Sequence, residues 1–123
     1  MHTLNDPATA ENSLYIDTHS GMLELVSRLE EAPAIALDTE ADSLHHYFEK
    51  VCLIQLAARE ENAIVDPLCG LDLTPLLALL ARKPLLLHGA DYDLRMMRMS
   101  FAFLPEGDVF DTMLAARLRG YEE

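Results

Sequence analysis

Two carboxylates one residue apart close an apolar run in Ala34-Ile35-Ala36-Leu37-Asp38-Thr39-Glu40. Residues i and i+2 of a β-strand project to the same face, so Asp38 and Glu40 converge at the end of a buried strand at the sheet edge. Their repulsion costs free energy, and a bound divalent cation is a common way to offset it. A second candidate lies where Leu85-Leu86-Leu87-His88 runs into Gly89-Ala90-Asp91-Tyr92-Asp93, a strand end that opens a helix. Such junctions are where α/β sheets place ligand groups. Asp93, in the first helical turns, is the candidate third ligand of a shared metal site.

Other polar residues read more plainly. Asp91 is placed to cap the helix that carries Asp93, and Asp111, in Val109-Phe110-Asp111-Thr112, to cap the next helix or bond within the core. His88 reads as a hydrogen-bonded structural histidine rather than a metal ligand. Gln55, inside the apolar stretch Leu53-Ile54-Gln55-Leu56, is expected to satisfy a loop backbone group, since a buried amide needs partners. The cluster His45-His46-Tyr47-Phe48 fits either a base-stacking surface or an exposed loop with some apolar anchoring.

The elements that must position these groups follow from periodicity and punctuation. Met1 to Ser13 is polar, aperiodic and contains Pro7, which suggests a flexible leader before a domain at 14–123. Leu14 to Asp17 reads as a strand, with Thr18 or Ser20 able to cap a helix over Gly21 to Glu31, where Met22, Leu25, Val26 and Leu29 recur at three and four. Pro33 ends it and the strand Ala34 to Asp38 follows, then a polar turn at Ala41-Asp42-Ser43. Val51 to Ala57 and Ala63 to Asp66 form an antiparallel hairpin around Glu60-Glu61-Asn62. Then come a helix from Thr74 to Ala81, a strand at Pro84 to His88, a helix from Gly89 to Ser100, a short strand at Val109-Phe110 and a helix from Thr112 to Leu118. This order predicts an α/β domain with a mixed sheet.

Composition narrows the function. The chain has 123 residues, half of them apolar, with no apolar run near the roughly 18–20 residues of a membrane span. The start lacks the basic and apolar segments of a signal peptide, so the simplest compartment is the cytoplasm, without a membrane partner. Cys52 and Cys69 lack zinc-site spacing and read as buried reduced thiols. Nine Lys and Arg against twenty-one Asp and Glu give a net charge of −12. That argues against a general nucleic-acid-binding surface, whose phosphate contacts call for basic residues. It leaves open an active site that grips phosphate through metal, or through a cluster of Arg82, Lys83, Arg95, Arg98, Arg117 and Arg119.

Five blocks in order carry a resemblance: Asp38 to Leu44, Lys50 to Leu56, Asp66-Pro67-Leu68, His88 to Asp93, and Phe110-Asp111-Thr112. Together they resemble bacterial ribonuclease D, one of the DEDD 3′–5′ exonucleases, on a ribonuclease H-like mixed β-sheet flanked by helices. The resemblance runs from Tyr15 onward. It implies hydrolysis of RNA from a single-stranded 3′ end, with DNA as the alternative substrate, using two Mg²⁺ or Mn²⁺ ions in an in-line displacement. Asp38, Glu40 and Asp93 would be the catalytic metal ligands, with Asp38 bridging the ions. One ion would activate water and the other stabilise the leaving 3′ oxygen. Thr39, Ala41 and Leu44 would pack against the terminal nucleotide, with His88 also on the substrate side, and Asp111 would be structural. The family's last motif, a Tyr and an Asp four residues apart on a late helix, has no counterpart: nothing stands four positions after Tyr121. The implied domain is therefore C-terminally truncated, weak or inactive as an exonuclease, with an apolar face that self-association could cover. A non-catalytic nucleic-acid- or protein-binding module on the same fold is the alternative.

Overall fold

The computed structural model describes residues 13–42 and 50–114. Alternation organises its sheet. Ile35, Leu37 and Thr39 of strand β2 (Ile35–Asp42) are buried, as are Ile54, Leu56 and Ala58 of β3 (Lys50–Ala58) and Ala63 and Val65 of β4 (Glu61–Val65). Ile16 of β1 (Leu14–Ile16) and Leu85 and Leu87 of β5 (Leu85–Leu87) complete that buried face. The intervening residues of the same strands are half-buried or exposed. With β6 (Val109–Asp111) the sheet has the order β1-β4-β3-β2-β5-β6, and only β3 runs against its neighbours. Three helices join the buried face to make one core: α1 (His19–Leu29) through Met22, Leu25 and Leu29, α2 (Thr74–Arg82) through Leu76, Leu79 and Leu80, and α3 (Ala90–Phe101) through Met96 and Met97. This is the expected mixed α/β sheet. No described helix is long and apolar enough to cross a membrane.

Helix α1 starts two residues earlier than its apolar spacing suggests, because Thr18 caps it: its hydroxyl accepts from the Gly21 amide at 3.1 Å. At its other end the Lys83 ammonium donates to the carbonyls of Glu30 and, at 2.9 Å, Ala32, while Arg82 pairs with Glu30. Both cations thus sit just before β5 begins, at the opposite end of the sheet from the candidate acids. Arg82 and Lys83 are thereby engaged at the end of α1, away from the candidate acids. Arg95 pairs with Asp91, and Arg117 and Arg119 lie outside the described residues.

Two local readings change. Strand β2 continues to Asp42 where a polar turn was expected, because Ala41 and Asp42 pair with Val51 and Lys50. Cross-strand pairing overrides the weak strand propensity of those residues. The register also shifts there: Glu40 pairs with Leu53 but Ala41 with Val51, which leaves Cys52 as an additional residue, a β-bulge in β3. The hairpin turn lies at Arg59-Glu60, one residue earlier than expected, since Ala58 already pairs with Glu61; Arg59 takes the left-handed conformation (φ 52°). Cys52 and Cys69 are free thiols, as expected, but neither is buried: Cys52 is half-exposed at the bulge and Cys69 exposed, its Sγ 3.1 Å from the Asp66 carbonyl.

These contacts set the stability expected of two variants. Thr18→Ala should lower unfolding free energy by about 1 kcal/mol through the lost cap. Leu79→Ala should lower it by about 2–5 kcal/mol through an unfilled cavity. Urea unfolding checks both.

Candidate active site

Strand β2 serves core and site at once. Asp38 and Glu40 project together from its outer face and are exposed, whereas Thr39 between them is turned inward and only 7% exposed. The acids are not at a lateral edge of the sheet, since β2 is flanked by β3 and β5. Two more paired residues follow Glu40, so the pair lies within the strand. The Asp38 carboxylate accepts from the Thr39 amide at 3.0 Å. Gln55 stands directly across from Asp38 in β3, and facing pairs share a face. Its amide is therefore a neighbour of the acids, not a group serving a loop.

Beyond Ala36, β2 outruns β5, which pairs with Ile35 and Ala36 and then gives way to α3. The first turn of that helix delivers Asp93 to β2. Asp93 is 4% exposed, and its Oδ1 accepts from the Thr39 hydroxyl at 2.5 Å. Burial pushes its pKa above the ordinary carboxylate value, the Thr39 hydrogen bond opposes that rise, and the charges of Asp38 and Glu40 add to it. Thus the three acids named from sequence share one electrostatic field, although Asp93 approaches from the core side of the strand. Thr39 was expected against a terminal nucleotide; its side chain is buried and bonded to Asp93. A threonine between two outward acids must face the core, and a core hydroxyl needs a partner. That pattern was the available signal for the contact.

The remaining candidates fall around this centre. Ala41 is half-buried on the core side after the bulge. His88 is exposed at the end of β5, with Nδ1 3.1 Å from the Thr112 hydroxyl. Leu44, the His45-His46-Tyr47-Phe48 cluster and Tyr121 lie outside the described residues. Asp91 does not cap α3: its carboxylate is 94% exposed and pairs with Arg95 at 3.3 Å. The cap comes from Asp111, whose oxygens accept from the amides of Gly89 at 3.0 Å and Ala90 at 2.9 Å. It also caps the helical turn at 112–114 through Met113 and Leu114, so its expected structural role extends to a second helix. These amides, led by Ala90 and Gly89, hold its pKa down at about 2. Tyr92 is a neighbour the sequence reading passed over: it is 40% exposed beside Asp93, and the Arg95 guanidinium lies 5.9 Å from its ring centre.

Carboxylates that share a field in this way match the hard-oxygen chemistry of Mg²⁺ or Mn²⁺. Among the described residues, however, no three His, Cys, Asp or Glu side chains already stand as a ligand set. Asp38 and Glu40 share the outer face, and Asp93 would complete the set only by turning an oxygen toward them.

A family model described as 3′-5′ exonuclease matches residues 14–123. The chain belongs to the 3′–5′ exonuclease family. Within it, the chain is 36% identical over 109 residues to ribonuclease D of Gluconacetobacter diazotrophicus, covering 86% of this chain and 28% of that protein. It is 40% identical over 103 residues to ribonuclease D of Zymomonas mobilis, covering 80% and 26%. The crystal structure of Escherichia coli RNase D, described as an exoribonuclease involved in structured RNA processing, has a TM-score of 0.81 at 34% identity over 90% of this chain and 30% of its own. The expected ribonuclease D resemblance and ribonuclease H-like fold therefore hold. The chain spans less than a third of the length of these relatives.

Two outcomes follow from the electrostatics. The raised pKa of Asp93 favours folding below its unfolded value of 3.8, and that contribution is lost as pH rises through the folded value. At neutral pH without metal, Asp93→Asn should therefore raise Tm by about 2–4 °C. The gain should shrink as the pH falls through the raised folded value and the wild-type acid takes up its proton. For Asp111 the sign is reversed. Its stabilisation is complete above 3.8 and lost as pH falls toward about 2, so Asp111→Asn should flatten that part of the acid unfolding profile. Calorimetry across pH checks both.

Proposed function

We propose that this domain removes nucleotides from RNA 3′ ends by divalent-metal-dependent phosphodiester hydrolysis. The observation that carries this reading is the meeting of Asp38, Glu40 and Asp93 in one field, within a chain that belongs to the 3′–5′ exonuclease family. Ribonuclease D relatives at 36% and 40% identity, and the exoribonuclease description of the similar crystal structure, favour RNA over DNA.

Asp38, Glu40 and Asp93 would hold the ions. When bound there, Mg²⁺ or Mn²⁺ supplies activation of water and neutralisation of charge at the scissile phosphate. The protein's own part is positioning. The exposed outer face of β2 leaves Asp38 and Glu40 open to an approaching phosphate, while Thr39 fixes one oxygen of Asp93 and leaves the other to turn outward. His88, exposed at the adjoining strand end, and the backbone at Ala41 are the described groups proposed to meet the terminal nucleotide; Leu44 is the proposed third. The net charge of −12 repels a polyanion, so cations at this site would also offset substrate repulsion.

A second reading is a non-catalytic binding module. It is favoured by the lack, among the described residues, of three acid or histidine side chains already gathered for an ion. One experiment separates the two. Incubated with Mn²⁺ and a 5′-labelled single-stranded RNA, the exonuclease shortens it one nucleotide at a time, prefers it to the matching DNA, and loses activity to the metal-free level on Asp38→Ala. Intact RNA together with no Mn²⁺ uptake in calorimetry at millimolar metal supports the module.

A further inference from the structure

Strands β5 and β6 pair in parallel, with Leu87 opposite Asp111, so their C-terminal ends lie side by side. A helical segment starts directly beyond each. α3 opens at Gly89, which adopts a left-handed conformation (φ 81°) and has no side chain to cap with. Asp91 turns to solvent instead of folding back. The start of α3 is thus fastened from outside, by a residue more than twenty positions downstream.

Asp111 divides its bonds between the two starts. Oδ1 accepts locally from Met113 at 3.0 Å and Leu114 at 3.3 Å, and remotely from Gly89 at 3.0 Å; Oδ2 accepts from Ala90 at 2.9 Å. The next residue reinforces the remote half. The Thr112 hydroxyl donates to the Leu87 carbonyl at 3.2 Å, so with its single proton committed it accepts from His88 Nδ1. Asp93 lies one helical turn past Ala90, and its carboxylate meets Thr39 only while that turn keeps its place. An unfastened helix start frays first at its opening turn. Displacement there by an ångström is enough to spoil a constellation of charged groups.

We propose that Asp111 is a positioning residue for Asp93, acting through the Gly89 and Ala90 amides to hold the first turn of α3 against β2. This rests on the reading of Asp93 as a metal ligand and goes beyond the capping role by tying it to that ligand's placement.

Asp111→Ser isolates the remote half. A serine oxygen still caps Met113 and Leu114 locally but is too short to bridge to Gly89 and Ala90. Mn²⁺ alone is the probe in calorimetry, and amide hydrogen exchange is read alongside. The expected result is a folded variant whose exchange quickens from Ala90 to Asp93, stays at the wild-type rate at Met113 and Leu114, and whose Mn²⁺ affinity falls roughly tenfold. Combined with Asp93→Asn, the serine variant should cause no further loss of Mn²⁺ affinity, since both act on one ligand. Wild-type exchange from Ala90 to Asp93, or quickened exchange with unchanged Mn²⁺ affinity, overturns the proposal. Failure of the wild type to take up Mn²⁺ defeats the functional reading instead, and exchange then decides alone whether Asp111 holds the turn of Asp93.

Discussion

A single buried hydrogen bond, from the Thr39 hydroxyl to Asp93, joins the two halves of this domain's chemistry. On one side is a central strand whose inward residues belong to the core; on the other is a helix that starts where the neighbouring strand stops. A carboxylate buried near two others is an unfavourable group unless it is bonded or neutralised. The surrounding core supplies the excess stability that lets it persist. Met22, Leu25, Ile35, Ile54, Leu79, Leu80 and Met97 are all almost fully enclosed around the sheet that carries it. Stability made by those apolar contacts is partly offset at Asp93, as sites of intended reactivity commonly require.

Much of the architecture was legible because periodicity reports burial directly. The three- and four-residue spacing of Met22, Leu25 and Leu29 and the leucine run of α2 specify helices by their apolar faces. The hairpin followed from two strand-like runs with a short polar gap. Asp38 and Glu40 were legible as a pair because strand alternation leaves no freedom about which face each takes. What escaped was decided by partners distant in sequence. Asp42 looks like a turn residue until Lys50 pairs with it. Asp91 occupies the local position of a cap, yet the start of α3 is fastened by Asp111, which reaches the Gly89 and Ala90 amides across two adjoining strand ends. Arg82 and Lys83 look available to phosphate, but the end of α1 engages them.

The charge imbalance takes on a narrower meaning in three dimensions. Arg28 bridges Glu24 and Glu61, Arg82 holds Glu30 and Arg95 holds Asp91. Each of these cations is spent on an acid of its own fold, and as exposed pairs they add little stability. On the proposed reading, attraction for a polyanion arises at the acids themselves, where bound cations would offset the repulsion. Acidity that argues against a general nucleic-acid surface is compatible with the proposed metal-dependent site.

The bulge at Cys52 bears on how such a strand can change over time. With that additional residue, Ile54 and Val51 both reach the core although they are three apart, and β3 bends beside Glu40. Removing residue 52 would leave every neighbour on its proper face and restore a regular ladder, so the fold would survive. It would also straighten β3 beside Glu40. Cys52 therefore contributes through chain length and not through its thiol.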